Sequence, residues 1–122
     1  MQSSPGVARE TVLVPIEDAP YQDRLGDCRF GPVLYGHENF RGNIHRLDRS
    51  DARFSDGNNN VAGSACVPRG WGVIIYKKKD FDGRSLRIGP GQVTTRIRDE
   101  LNNDATSARI YRIDANGNWI EQ

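Results

Sequence analysis

Two six-residue segments concentrate oxygen donors: Asn59-Asn60-Val61-Ala62-Gly63-Ser64 and Asn102-Asn103-Asp104-Ala105-Thr106-Ser107. Carboxylate, amide, hydroxyl and carbonyl oxygens suit a hard divalent cation such as calcium, which takes six to eight of them and needs no sulfur or imidazole. The softer donors are Cys28, Cys66, His37 and His45. Their spacings lack the paired C-x-x-C or H-x-x-x-H form that sets ligands on one turn, so zinc is not expected. The two cysteines can form one disulfide in an oxidising compartment or stay as free thiols in a reducing one, and the sequence leaves both open. Neither Ser64 nor Ser107 sits in a G-x-S-x-G elbow, no Gly-rich phosphate loop opens a helix, and the carboxylates are scattered; catalysis is not expected.

Such loops need a scaffold to aim them. A chain of 122 residues, 36% of them hydrophobic, suits one compact domain that buries roughly two thirds of its unfolded surface. A formal charge of +1 creates no field to recruit nucleic acid or an anionic membrane. No apolar run approaches the roughly 18 residues of a membrane span, and Met1 to Val7 lacks the basic-then-apolar order of a signal peptide.

From Phe30 onward the chain alternates β-branched or aromatic runs with Gly, Asn, Asp and Pro: Val33 to Tyr35, Ile44 to Leu47, Trp71 to Tyr76, Ser85 to Ile88 and Ala108 to Ile113. Turn signals this dense predict an all-β sandwich or barrel. Thr95 to Leu101 could add one short helical turn. Residues 1–26 read as an arm, partly disordered or adding an edge strand through Thr11 to Ile16, where Pro15 is tolerated because an edge need not donate.

An internal repeat organises the rest. Tyr35 to Gly42 aligns with Tyr76 to Gly83 at an offset of 41, and Asn59 to Ala65 aligns with Asn102 to Ala108 at an offset of 43. In each unit an aromatic (Tyr35, Tyr76) and a Phe (Phe40, Phe81) flank a tight turn that ends in Gly42 or Gly83, where a folded-back hairpin needs φ > 0. The predicted units are motif 1, about 28–69, and motif 2, about 70–114, within a domain of 27–122 that ends in a tail of 115–122.

The pattern of an aromatic, four residues, Phe or Tyr, any residue, then Gly resembles the signature of the βγ-crystallin superfamily, and Asn59 to Ser64 and Asn102 to Ser107 resemble its calcium motif. That resemblance implies two Greek-key motifs, each four-stranded, exchanging a strand to form a two-sheet sandwich, with one or two Ca2+ ions held at one end by atoms of both motifs. Carried over by position, the metal ligands would be the carbonyls of Glu38 and Lys79, loop oxygens at Asn60, Val61, Asn103 and Asp104, and the hydroxyl of Thr106. Asn59, Asn102, Ser64 and Ser107 would support the loops. Gly63 stands where the first motif should offer a hydroxyl, and Val61 faces Asp104, so the sites should be unequal and of modest affinity.

The expected role is a calcium-binding domain stabilised by its ion. The alternative is a secreted interaction module or coat component with a degraded site, since relatives of this fold include small secreted metalloproteinase inhibitors; a bridged Cys28 and Cys66 would favour that extracellular or periplasmic life. Partners are then calcium and an unidentified protein, with no nucleic acid or membrane, and a monomer or weak homodimer as the assembly.

Overall fold

A computed structural model describes residues 11–54, 62–97 and 105–122. The elements in order are β1 (Val14–Pro15), three 3-10 turns (Ile16–Asp18, Gln22–Arg24 and Gly26–Phe30), β2 (Val33–His37), β3 (Arg41–Arg46), β4 (Ser64–Val67), β5 (Trp71–Lys78), β6 (Asp82–Ile88), β7 (Gln92–Thr94), β8 (Ser107–Ile113) and β9 (Trp119–Glu121). They form two antiparallel sheets, ordered β1-β7-β4-β2-β3 and β6-β5-β8-β9. The all-β, two-sheet sandwich expected from the sequence is the fold observed.

Strand exchange is visible in the pairing. β7, from motif 2, lies beside β4 of motif 1, with Cys66 opposite Val93. In return Asp51 of motif 1 bridges Ala108 on β8. That third strand of motif 1 is shortened to this one bridge because the C-terminal segment takes the same edge of β8: the Ile110 carbonyl accepts from Gln122, while its N–H donates to the Ser50 hydroxyl. Residues 119–121, read from sequence as tail, are the competing strand.

Between the sheets, Leu34, Leu47, Phe54, Val67, Val73, Ile75, Ile88, Ile97 and Ile110 pack into one core. A second cluster covers the outer face of the first sheet, where Val33, Tyr35, Cys66 and Val93 meet Ala19, Leu25 and Cys28 from the N-terminal segment, with Phe40 of the hairpin. Residues 33–35 are therefore buried on both faces of their sheet, which is why they read as a continuous apolar run rather than an alternating one. Backbone pairing and a covalent bond tie the N-terminal segment down. β1 pairs with β7 at the sheet edge, Ile16 N–H donates to the Gly91 carbonyl at 2.8 Å, and a disulfide joins Cys28 to Cys66. Residues 95–97 form no helix, and 98–101 lie outside the described residues.

Among the described residues His45 is a misfit. It occupies on β3, opposite Leu34, the register that Leu86 holds on β6, opposite Ile75. Its ring packs edge-on against Phe54 at 4.5 Å, and Nδ1 is buried without a hydrogen-bond partner among the described residues. Burial pushes its pKa below the ordinary imidazole value of 6.5, against the opposing pull of Asp51 and Asp48. A depressed pKa means the unfolded chain takes up the proton first, so stability present above about pH 6.5 is lost as pH falls. His45→Leu should raise stability by about 1 kcal/mol at neutral pH, because the orphaned nitrogen is removed, and by more at pH 5. Urea midpoints at pH 8 and pH 5 check this; a gain that does not grow on acidification contradicts it.

Candidate functional site

Each motif folds its hairpin back on its sheet through two successive left-handed residues, Asn39 (φ 60°) and Phe40 (φ 61°) in one, Asp80 (φ 60°) and Phe81 (φ 58°) in the other. For an L-residue this backbone costs on the order of 1–2 kcal/mol, and a phenylalanine has no side-chain hydrogen bond to offset it. A serine does so instead. Ser64 Oγ accepts from Phe40 N–H at 2.9 Å and donates to the His37 carbonyl at 2.7 Å. Ser107 Oγ does the same for Phe81 N–H and the Lys78 carbonyl. Both serines are fully buried. The rings lock against their tyrosines, Tyr35 on Phe40 at 5.6 Å and Tyr76 on Phe81 at 5.8 Å, and the chain leaves through Gly42 (φ 89°) or Gly83 (φ 79°).

Hydrogen bonds then carry each hairpin onto the other motif. Asn39 N–H donates to Thr95 and Asp80 N–H to Ala52; Ile97 N–H donates to Gly63 and Phe54 N–H to Thr106. Two pseudo-equivalent corners result. One gathers Glu38, Gly63 and Thr95–Ile97, the other Lys79, Thr106 and Ala52–Phe54. Glu38, Lys79 and Thr106 are thus placed at motif boundaries, whereas Asn59, Asn60, Val61, Asn102, Asn103 and Asp104 lie outside the described residues.

The corners differ chemically. In the second, Lys77–Asp82 and Thr106 line an open depression, so the oxygen-bearing residues Asp80, Asp82 and Thr106 stand in its wall alongside Lys77, Lys78 and Lys79. This donor set fits a hard cation as far as it goes, and the lysine stems are long enough to carry their charges outward. Among the described residues no three His, Cys, Asp or Glu side chains cluster as a metal site, so carbonyl and hydroxyl oxygens have to supply much of any coordination.

The first corner does not fit. Gly63 brings no hydroxyl, and a Cβ built there would stand 2.4 Å from the His37 carbonyl carbon and 2.5 Å from its Cα. Two guanidinium groups are already present: Arg24 Nη1 donates to the Asn39 carbonyl at 2.9 Å, and Arg96 Nε meets the Glu38 carboxylate at 3.2 Å.

Sequence reasoning missed Arg24. It belongs to the N-terminal segment, stacks on Tyr21 at 4.3 Å, and its carbonyl accepts from the Tyr35 hydroxyl at 3.2 Å. Burial pushes that phenol up to about 12. No motif signals a contact between positions 24 and 39. The second hairpin has another roof: Arg109 lies 4.0 Å over the Phe81 ring and bonds both oxygens of Glu121. Trp119 rests on Gly72, 5.4 Å from Tyr111 and under Arg87 at 4.0 Å.

No protein-family model matches the chain, and no curated protein matches its sequence. Solved structures do. A structure described under the evolution of the eye lens βγ-crystallin domain fold is 24% identical, with a TM-score of 0.65 over 69% of this chain and 87% of that one. A βγ-crystallin domain from Clostridium beijerinckii is 26% identical, with a TM-score of 0.58 over 66% of this chain and 97% of that one. A βγ-crystallin domain from Flavobacterium johnsoniae is 21% identical, with a TM-score of 0.58 over 66% and 93%.

Proposed function

We propose, from the premise that this chain is a member of the βγ-crystallin superfamily, that it binds Ca2+ at the corner formed by the second hairpin and that the ion clamps the two motifs together. The observation that carries this is the depression in which Thr106, at the foot of β8, faces the turn containing Lys79, Asp80 and Asp82. That turn is bonded through Asp80 N–H to Ala52 of the other motif, so an ion held there bridges both halves. The Lys79 carbonyl and Thr106 hydroxyl are the ligands on this side. Asn60, Val61, Asn103 and Asp104 are the loop residues that the resemblance offers to complete the shell.

The physics follows from linkage. An ion that binds the folded state alone adds about 2.7 kcal/mol when its concentration is a hundredfold above the dissociation constant. With few carboxylates offsetting desolvation and three lysines nearby, affinity should be micromolar or weaker. Millimolar calcium should therefore raise the unfolding midpoint by roughly 10 °C over excess chelator for a chain of this length. Differential scanning calorimetry in the two buffers measures it, and an unchanged midpoint would sink the reading. The Cys28–Cys66 bridge supports an oxidising, extracellular or periplasmic setting, where free calcium is ample for a weak site.

A further inference from the structure

We propose that at the first corner Arg24 and Arg96 take the place of a divalent ion, so that motif 1 is locked without metal and the chain binds a single Ca2+. This rests on the calcium reading of the second corner.

Three observations converge. The hairpin carbonyl beside Glu38 already accepts a charged N–H from Arg24 at 2.9 Å, in a partly buried setting. The Glu38 side chain is engaged by Arg96 at 3.2 Å. Gly63, where a ligand hydroxyl would be needed, is pressed against the His37 backbone and has no room for a side chain. A guanidinium does here what a cation does elsewhere: it satisfies hairpin oxygens and ties them to another segment, in this case the N-terminal one and the irregular segment that follows β7. Bringing a divalent ion in beside these two positive charges, Arg24 partly buried and Arg96 half exposed, would add repulsion to its desolvation cost.

The second corner is built differently. Lys79 stands where the first hairpin has Glu38, so Arg53, the positional counterpart of Arg96, has no carboxylate at that position to pair with. The N-terminal segment occurs once in the chain, so Arg24 has no counterpart. Its position is also well fixed, by stacking on Tyr21, by the Tyr35 hydroxyl and by the disulfide four residues on.

The test compares wild type, Arg24→Gln/Arg96→Gln, and the charge-matched control Arg46→Gln/Arg69→Gln, whose arginines sit in exposed ion pairs with Asp27 and Glu17. Each is titrated with calcium chloride in a calorimeter and melted in chelator and in millimolar calcium. Expected are a stoichiometry of one for wild type, a midpoint in chelator lower for Arg24→Gln/Arg96→Gln than for the control, and a calcium-induced shift about 5 °C or more larger than for wild type or control. Two calcium ions on wild type overturn the inference, as does a calcium response of the double variant equal to that of the control. If wild type binds none but the double variant does, the second-corner reading fails and with it the stoichiometry of one, while the replacement of an ion by the two arginines at the first corner stands; if neither binds, both fall.

Discussion

Replacing Cys28 and Cys66 together by alanine will lower the unfolding free energy by about 4 kcal/mol. The bridge spans a sequence separation of 38, and closing a loop of that size removes about 4 kcal/mol of chain entropy from the unfolded state. With an unfolding entropy of about 2.1 cal/mol/K per residue, the midpoint should drop on the order of 15 °C. What the bridge holds explains why other contacts will not compensate. Between Ala19 and Cys28 the segment buries three apolar side chains on the outer face of the first sheet; its other ties include the Arg24 bonds to Asn39 and Tyr35 and the exposed pair of Asp27 with Arg46, a pair worth under about 1 kcal/mol. Both sulfurs are buried, so the alanine variants are a cleaner probe than added reductant. Hydrogen exchange should show the loss to be directional, with the Ile16 amide, bonded to Gly91 on the β7 side, opening before the Ile75 and Ile110 core. A midpoint drop under about 3 °C would show that the N-terminal segment is held by its packing rather than by its bridge.

The sandwich was legible because its signals are local and doubled. Tyr35 with Phe40 and Tyr76 with Phe81 mark both hairpins at one offset, and the expected strands over 33–35, 44–47, 71–76, 85–88 and 108–113 are there with shifted ends. β4, β7 and β9 were not foreseen. Ser64–Val67 and Gln92–Thr94 are short and buried, so they show no alternation, and Trp119–Glu121 is a strand only because β8 leaves it an edge. The outer cover of the first sheet was illegible for a different reason: Ala19 and Leu25 cap short 3-10 turns and Cys28 sits within one, without periodicity, and only the tertiary fold shows what they cover. The contrast between the corners is of the same kind. Arg24 and Asn39 are 15 residues apart, and nothing in either neighbourhood announces the bond.

Gly63 shows how a sequence comparison can name the right position for an incomplete reason. By alignment with Thr106 it is a lost ligand, which invites the repair Gly63→Thr. The structure predicts that this repair fails. A Cβ at Gly63 would lie 2.4 Å, 2.5 Å and 2.7 Å from the carbonyl carbon, Cα and nitrogen of His37. All three are backbone atoms, so no rotamer change relieves the overlap. The two segments are also pinned together, by Gly63 N–H to the Tyr35 carbonyl at 2.8 Å and by the Ser64 hydroxyl to the His37 carbonyl. Admitting a threonine means separating β2 from the start of β4, which strains those bonds and through Ser64 releases the left-handed Phe40. Overpacking alone costs roughly 1–3 kcal/mol, and the buried hydroxyl adds about 1–3 kcal/mol more if it loses its partners. Gly63→Thr should therefore be destabilised by about 3 kcal/mol or more in chelator, near 10 °C in midpoint for this chain length. Calcium stoichiometry should not rise above that of wild type. Gly63→Ala, which brings the clash without the hydroxyl, should recover only the hydroxyl's share, about 1–3 kcal/mol, and remain less stable than wild type. The outcome that decides against this account is a Gly63→Thr protein as stable as wild type that takes up an additional calcium ion. Glycine at position 63 would then be only a missing ligand, and the close approach of His37 would not be what requires it.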